Sequence, residues 1–466
     1  MQNSSANNAH APRIASIDEL LRSNTGRQIE IEEGRDVALA IARQAAERLR
    51  KAIREGKTHL FDQTADPAEA EMLRIQAERR LVSLHRVINA TGVIIHTNLG
   101  RSRLSKTAAT RATEAAANYC NLEFDLRTGK RGQRGLGAEA AIAELTKAGD
   151  ALIVNNCAAA ALIVLTEFAS GREVIISRGE LVEIGGDFRI PDVLRQSGAV
   201  LREVGTTNRT KISDYRLAIN ERTAMILRVH PSNFRIVGFT QTPDLSELAQ
   251  LADSAGLILA EDAGSGALVD LSAYGLAGEP VIPESVADGA GLVLFSGDKL
   301  LGGPQSGIIA GRSDLVARLR RNPLYRALRV DKVTCAALEA TLAAYQKGTH
   351  LSEIPTLRML SATKEELHSR AVSIADKIRQ QTNASVEVIE GNSAVGGGAA
   401  PNAVLPTFLA AILPQENDAL LLSERLRSGS PPVIARISEG RILIDPRTVA
   451  EDEEPELIRV VTEALA

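Results

Sequence analysis

The stretch Gly291-Leu292-Val293-Leu294-Phe295-Ser296-Gly297-Asp298-Lys299-Leu300-Leu301-Gly302-Gly303-Pro304-Gln305 is an apolar run that breaks into a glycine-rich turn carrying one lysine. A short apolar run bounded by turn residues reads as a buried strand. A lysine at the mouth of such a strand is partly desolvated, which favours the neutral, nucleophilic amine that imine formation with an aldehyde requires. A phosphate-binding P-loop competes with this reading. It would place the lysine after a second glycine and before Ser or Thr, an order the segment lacks.

Working outward, further short apolar runs occur at Ala151–Val154, Glu173–Ile176, Ala224–Val229 and Gly256–Ala260, separated by helix-like segments such as Leu245–Ala255. From about Val87 this alternation predicts an α/β fold, a mostly parallel sheet with helices on both faces. Asp331–Lys347 reads as one long helix. Beyond it, strand-like Ala384–Ile389, Val433–Ile437 and Arg441–Ile444, with the glycine run Gly396–Gly398, predict a smaller α+β domain. Ahead of the sheet, Ile14–Leu21 and Asp36–Arg54 read as helices, the second with Val37, Ile41, Ala45, Leu49 and Ile53 at helical spacing. The expected domains are residues 1–75, helical; 76–335, the large α/β domain; and 336–466, the small α+β domain.

Two other segments complete a cofactor constellation. The run Gly256–Ala260 ends in Glu261-Asp262-Ala263-Gly264, placing a carboxylate at the carboxyl edge of a strand, where open α/β sheets bind ligands. Such an acid keeps a pyridine nitrogen protonated, which makes the ring of pyridoxal 5'-phosphate (PLP) an electron sink. A helix cap or turn residue is the plainer reading of Asp262 alone. The run Ala151–Val154 enters Asn155-Asn156-Cys157-Ala158-Ala159, a strand-to-helix turn whose small side chains leave backbone N–H groups open to a phosphate. Ser296 adds a hydroxyl. Lysine, acid and phosphate turn together predict a PLP enzyme with Lys299 as the Schiff-base residue.

Other residues carry weaker signals. Arg101, and the pair Arg326 and Arg329, suggest a second anion site; three residues apart on a helix, the pair would share one face. Surface ion pairing is the alternative for each. His230 follows the Ala224–Val229 run and is read either as a neighbour of the cofactor or as structural. No cluster of His, Cys and carboxylates resembles a metal site.

Composition sets bounds. A chain of 466 residues with 44% hydrophobic and 24% charged residues is that of a multi-domain globular protein. A net charge of -4 gives no overall electrostatic footprint for DNA or RNA, so any RNA contact must be local. Residues 1–58 carry ten Arg and Lys against eight Asp and Glu, with the positive charge gathered at Arg48, Arg50, Lys51, Arg54 and Lys57. An ordinary solvated helix face explains that as well. Cys120, Cys157 and Cys335 are far apart and read as reduced thiols. The polar opening Met1–Arg13 has no signal-peptide core, and no apolar run reaches membrane-spanning length, so a cytoplasmic protein is expected.

At these residues the chain resembles the bacterial selenocysteine synthase family, the L-seryl-tRNA(Sec) selenium transferases. The resemblance runs from about Ile14 to the C-terminus. It includes Arg86-Val87-Ile88-Asn89-Ala90-Thr91-Gly92, His96 to Arg101, Asn121 to Leu126, Gly129-Lys130-Arg131-Gly132, Glu203-Val204-Gly205-Thr206-Thr207-Asn208-Arg209, the Gly-Asp-Lys segment, Pro432 to Ile437 and Leu443 to Val449. It implies a fold-type I, aspartate aminotransferase-like PLP enzyme with Lys299 and Asp262 in the cofactor roles. It further implies a selenium-donor anion site involving Arg101, Arg326 and Arg329, an N-terminal domain that grips tRNA, and a homodecamer, a ring of dimers. The implied reaction is β-replacement on seryl-tRNA(Sec), with loss of water and addition of selenium from selenophosphate. A PLP lyase acting on a small amino acid or amino sugar acid is the rival, and a noncatalytic RNA-binding protein a further one. The chain departs from the family at Cys157, where a third Asn is usual, and at Pro446, where Leu is common before the arginine.

Overall fold

The computed structural model describes residues 14–55, 66–183, 189–401, 403–414 and 418–466; the opening Met1–Arg13 and Lys57 lie outside them. The chain divides into two compact units, Met1–Arg86 and Val87–Ala466.

The first unit is helical: α1 (Ile17–Arg22), α2 (Asn24–Glu33), α3 (Arg35–Arg54) and α4 (Pro67–Val82). Its first helix starts at Ile17 rather than Ile14 because Ser16 and Glu19 form a reciprocal capping box. The apolar stripe of α3, with Ile41, Ala45 and Leu49, packs with Leu20, Ile29, Met72 and Ile75 into one core. Arg48 is no member of a free basic face: it pairs with Glu78 at 2.8 Å and Glu71 at 3.1 Å on α4. A boundary after residue 75 would cut α4, which is continuous to Val82, and the unit accordingly extends to Arg86.

In the second unit a seven-stranded sheet contains β1 (Asp150–Val154), β2 (Glu173–Ser177), β3 (Val200–Val204), β4 (Thr223–Val229), β5 (Ile258–Gly264), β6 (Leu292–Ser296) and β7 (Gly307–Gly311). Their spatial order is β1-β7-β6-β5-β4-β2-β3. The pairs along β3, β2, β4, β5 and β6 are parallel, and β7 runs antiparallel between β6 and β1. β2, β6 and β7 are buried along their whole length, as expected for strands covered by helices on both faces. α5 (Lys106–Ala117), α6 (Leu136–Thr146) and α7 (Cys157–Ala169) precede or flank β1, and α8 (Lys332–Gln346) packs against α5 and α6. The expected division at residues 335 and 336 falls within α8, which therefore belongs to the large layer.

The last layer is a four-stranded antiparallel sheet of β8 (Ser385–Ser393), β9 (Leu405–Leu413), β10 (Arg436–Ser438) and β11 (Arg441–Ile444), in the order β8-β9-β11-β10. Two helices, α9 (Lys364–Gln381) and α10 (Glu454–Leu465), share its core through Ile374, Ile378, Leu457 and Val461. Ile88–Asn89 pairs in parallel with Val433–Ile434, so the chain just after Arg86 joins this layer before entering the large one. Among the described residues no helix is long and apolar enough to cross a membrane.

Candidate active site

The carboxyl edge of the large sheet gathers the residues the sequence singled out. β5 and β6 are parallel neighbours, so the acid near the end of one lies a strand's width from the turn that closes the other. Asp262 is 6% and Lys299 5% exposed. β4 ends at Val229 opposite Asp262, and the His230 backbone N–H donates to the Asp262 carbonyl at 2.9 Å. Burial pushes the Asp262 carboxyl above its ordinary pKa, against the pull of Lys299 and of the Cys157 thiol.

Lys299 Nζ donates to the Gly398 carbonyl at 3.3 Å. Gly398 has φ +79°, and a Cβ there would stand 3.0 Å from Nζ and 3.6 Å from Ser232 Oγ. Only glycine admits both that backbone and that approach. The lysine turn is held by the loop carrying Arg101: the Ser102 hydroxyl donates to the Lys299 carbonyl at 2.7 Å, and the Ser102 N–H to the Asp298 carbonyl at 3.2 Å.

At the other end of the site α7 begins at Cys157, capped by Asn156, whose side-chain oxygen accepts the Ala159 N–H at 2.9 Å. The Cys157 and Ala158 N–H groups belong to the first turn and have no intrahelical acceptor, so this helix start is able to accept an anion. Asn155 is exposed there. Gly307 makes the geometry feasible, since a Cβ on it would come within 2.0 Å of the Asn156 carbonyl oxygen. The Cys157 side chain turns inward, its thiol donating to Asp262 Oδ1 at 3.4 Å, with Ser296, buried at the end of β6, beside it. Burial and the neighbouring Asp262 charge push that thiol well above its ordinary pKa, so it is a donor and not a nucleophile.

These groups fit PLP. The site offers a buried amine for the aldehyde, a buried acid for the ring nitrogen and two free helix N–H groups for the phosphate. Ser232 Oγ, close to Gly398 and Lys299, is buried there without a hydrogen-bond partner among the described residues, a polar group that a ligand would satisfy.

His230 Nε2 meets Glu279 Oε1 at 3.4 Å, and the same oxygen accepts the Ala400 N–H at 2.6 Å. Glu279, Ser232 and Ser265 carried no separate signal in the sequence; Gly398 was visible only as part of a glycine run.

The arginines are less convergent than their spacing suggested. Arg101 pairs with Asp298 at 2.9 Å and lines a cavity of about 250 Å³ with Thr97, Asp298 and Gln305. Arg326 is exposed on the short helix Pro323–Leu328. Arg329 does not share its face, because the helix ends at Leu328 and Arg329 turns extended. It bridges to Val154 beside the turn that starts α7 and pairs with Glu123 at 3.1 Å, which Arg134 also engages. A larger cavity of about 1130 Å³, lined by Tyr119, Phe124, Leu126 and Lys332 among others, contains none of the lysine-site residues. Chemistry rather than volume locates the site.

The sheet order, the antiparallel β7 and the lysine at the carboxyl edge define the class: a fold-type I, aspartate aminotransferase-like α/β enzyme. D-Glucosaminate-6-phosphate ammonia-lyase has this fold, with a TM-score of 0.58 at 22% identity, over 83% of this chain and 98% of that one. The family model for L-seryl-tRNA selenium transferase matches residues 87–450. The chain therefore belongs to the L-seryl-tRNA selenium transferase family. It is 47% identical to the L-seryl-tRNA(Sec) selenium transferase of Geobacter sulfurreducens, over 97% of this chain and 98% of the relative. It is 53% identical to that of Solidesulfovibrio magneticus over 79% of each, and 44% identical to that of Carboxydothermus hydrogenoformans over 94% of each.

Proposed function

We propose that this chain converts L-seryl-tRNA(Sec) to L-selenocysteinyl-tRNA(Sec) with PLP held on Lys299 and selenophosphate as the selenium donor. The observation that carries the reading is the buried amine of Lys299 at the carboxyl edge of the sheet, one strand from the buried acid of Asp262. When bound, PLP supplies an electron sink for the carbon that bears the seryl amine. Lys299 Nζ, buried at the mouth of the site, would hold the cofactor and would serve as the base for a substrate bound there. Asp262 would face the ring nitrogen of the cofactor, and the N–H groups at the start of α7 would hold its phosphate. Arg101, with its cavity beside the lysine turn, is suited to the donor anion, with Arg326 and Arg329 as further cations. The small layer covers Lys299 through the glycine turn at 396–398 and limits water at the amine.

The helical first unit is assigned to tRNA, on the exposed basic residues Arg43, Arg50 and Arg54 of α3. Exposed Tyr119, Phe124, Leu126 and Leu136 form an apolar surface suited to a second copy of the chain, in keeping with a ring of dimers, and a cytoplasmic location follows from the substrate. The fold shared with an ammonia-lyase favours a second reading, a PLP lyase on a small amino acid or amino sugar acid. Purified protein incubated with seryl-tRNA(Sec) and selenophosphate should yield selenocysteinyl-tRNA; robust turnover of free amino acids without tRNA would establish the lyase instead. Borohydride reduction followed by digestion should leave the pyridoxyl label on the Lys299 peptide, and a label elsewhere defeats the site assignment.

A further inference from the structure

The structure assigns Glu279 as the positioning residue that ties His230 to the glycine turn over Lys299, an inference that rests on the PLP reading of that lysine. Glu279 lies in the loop after β5, far in sequence from both partners, and its side chain is 5% exposed. One of its oxygens, Oε1, receives two donors. The first is the Ala400 N–H at 2.6 Å, which pins the end of the Gly396–Gly398 turn whose Gly398 carbonyl accepts Lys299 Nζ at 3.3 Å. The second is His230 Nε2 at 3.4 Å, on a residue whose backbone N–H is fixed to the Asp262 carbonyl. A single carboxylate thus connects the residue after β4, itself hydrogen-bonded to the backbone of Asp262 on β5, to the turn covering the amine.

The electrostatics agree with that geometry. Burial alone would push the Glu279 carboxyl up, yet its pKa lies below the ordinary value because the hydrogen bond and charge of His230, the nearby Ser265 hydroxyl and the Ala400 N–H favour the anion. A buried anion with two donors on one oxygen fixes those donors more tightly than a neutral group does. Its other oxygen, Oε2, is buried without a hydrogen-bond partner of good geometry among the described residues, a cost that the donors around the carboxylate offset. Such an arrangement orients the imidazole for the ligand in the site and is poorly explained as packing.

The variants Glu279→Gln, Glu279→Ala and His230→Asn, with the Glu279→Gln/His230→Asn double variant, test this in the PLP-loaded full chain. Glutamine keeps an oxygen for the Ala400 N–H and removes the charge facing His230. Glu279→Gln should therefore retain a wild-type level of borohydride label on Lys299 while the visible circular dichroism of the bound cofactor changes. Its kcat with seryl-tRNA(Sec) and selenophosphate should fall roughly tenfold to a hundredfold, the range expected for losing a hydrogen bond to a charged group, with KM little altered. In the His230→Asn background the same change should cost nothing further, since both act through one imidazole. Glu279→Ala should in addition lose label on Lys299. A wild-type kcat and dichroism for Glu279→Gln, or losses that multiply in the double variant, overturn the inference. If the wild-type protein itself carries no label on Lys299, the PLP reading falls and this assignment with it.

Discussion

Replacing Glu180 by glutamine should flatten the pH dependence of stability. Glu180 lies behind β4, 5% exposed, with Arg228 at 3.1 Å and the Val229 N–H donating to it at 3.2 Å, immediately before His230. Burial raises its pKa from 4.5 to about 7, with Arg228 only partly opposing. A carboxyl whose folded pKa is raised binds more protons when folded than when unfolded, so it stabilises the protein at low pH and loses that contribution as pH rises from 4.5 toward 7. Between pH 5 and pH 8 the loss is on the order of 2 to 3 kcal/mol, from roughly 1.4 kcal/mol per pKa unit less the incomplete protonation at pH 5. The amide of the replacing glutamine cannot ionise and still offers an oxygen to the Val229 N–H. Urea unfolding of the full chain at pH 5 and pH 8 should therefore show the Glu180→Gln variant losing roughly 2 to 3 kcal/mol less than wild type across that interval. Equal losses in the two proteins would refute the argument that burial outweighs the arginine.

Changing Asp262 to Asn should reduce selenocysteinyl-tRNA formation by at least roughly a hundredfold while borohydride still labels Lys299, because the neutral amide cannot hold charge against the ring nitrogen; activity within tenfold of wild type contradicts the assigned role. Gly307→Ala places a methyl 2.0 Å from the Asn156 carbonyl oxygen, so PLP affinity measured by equilibrium dialysis should fall, and unchanged affinity would remove the start of α7 from the phosphate site. Cys157→Ala deletes the donor to Asp262 Oδ1 and should make the cofactor's visible absorbance titrate at a different pH, whereas Cys157→Asn, restoring an amide donor, should return it toward the wild-type profile. Asn156→Ala should cost about 1 kcal/mol in thermal unfolding through loss of the α7 cap.

Local elements were legible because their signals are local. The apolar runs at 151–154, 173–176, 224–229 and 291–295 each became a strand, and the turns after them put Asn156, His230 and Lys299 at one edge of the sheet. Ile41, Ala45 and Leu49 of the α3 stripe are buried, Val37 only partly so, and Ile53 stands outside that core; the centre was legible because helical periodicity is a property of one segment. The antiparallel direction of β7 and the pairing of Ile88–Asn89 with Val433–Ile434 were not legible, since strand direction and partner depend on the route of the chain between them. The Arg326 and Arg329 spacing misled for a related reason. It assumed a helix through both, and the helix ends between them at Leu328.

By itself the sequence determined which residue types the chemistry has available: an amine, an acid and a capped helix start, each announced by its own strand and turn. Tertiary structure alone decided which groups meet them. Gly398 reaches Lys299 across 99 residues, Cys157 reaches Asp262 across 105, and Ala400 reaches Glu279 across 121. The physical reason is that a hydrogen bond acts over about 3 Å of space and carries no trace of the chain length between its partners. Covalent neighbours shape a turn, but only the packing of the small layer against the sheet edge brings the glycine turn over the lysine.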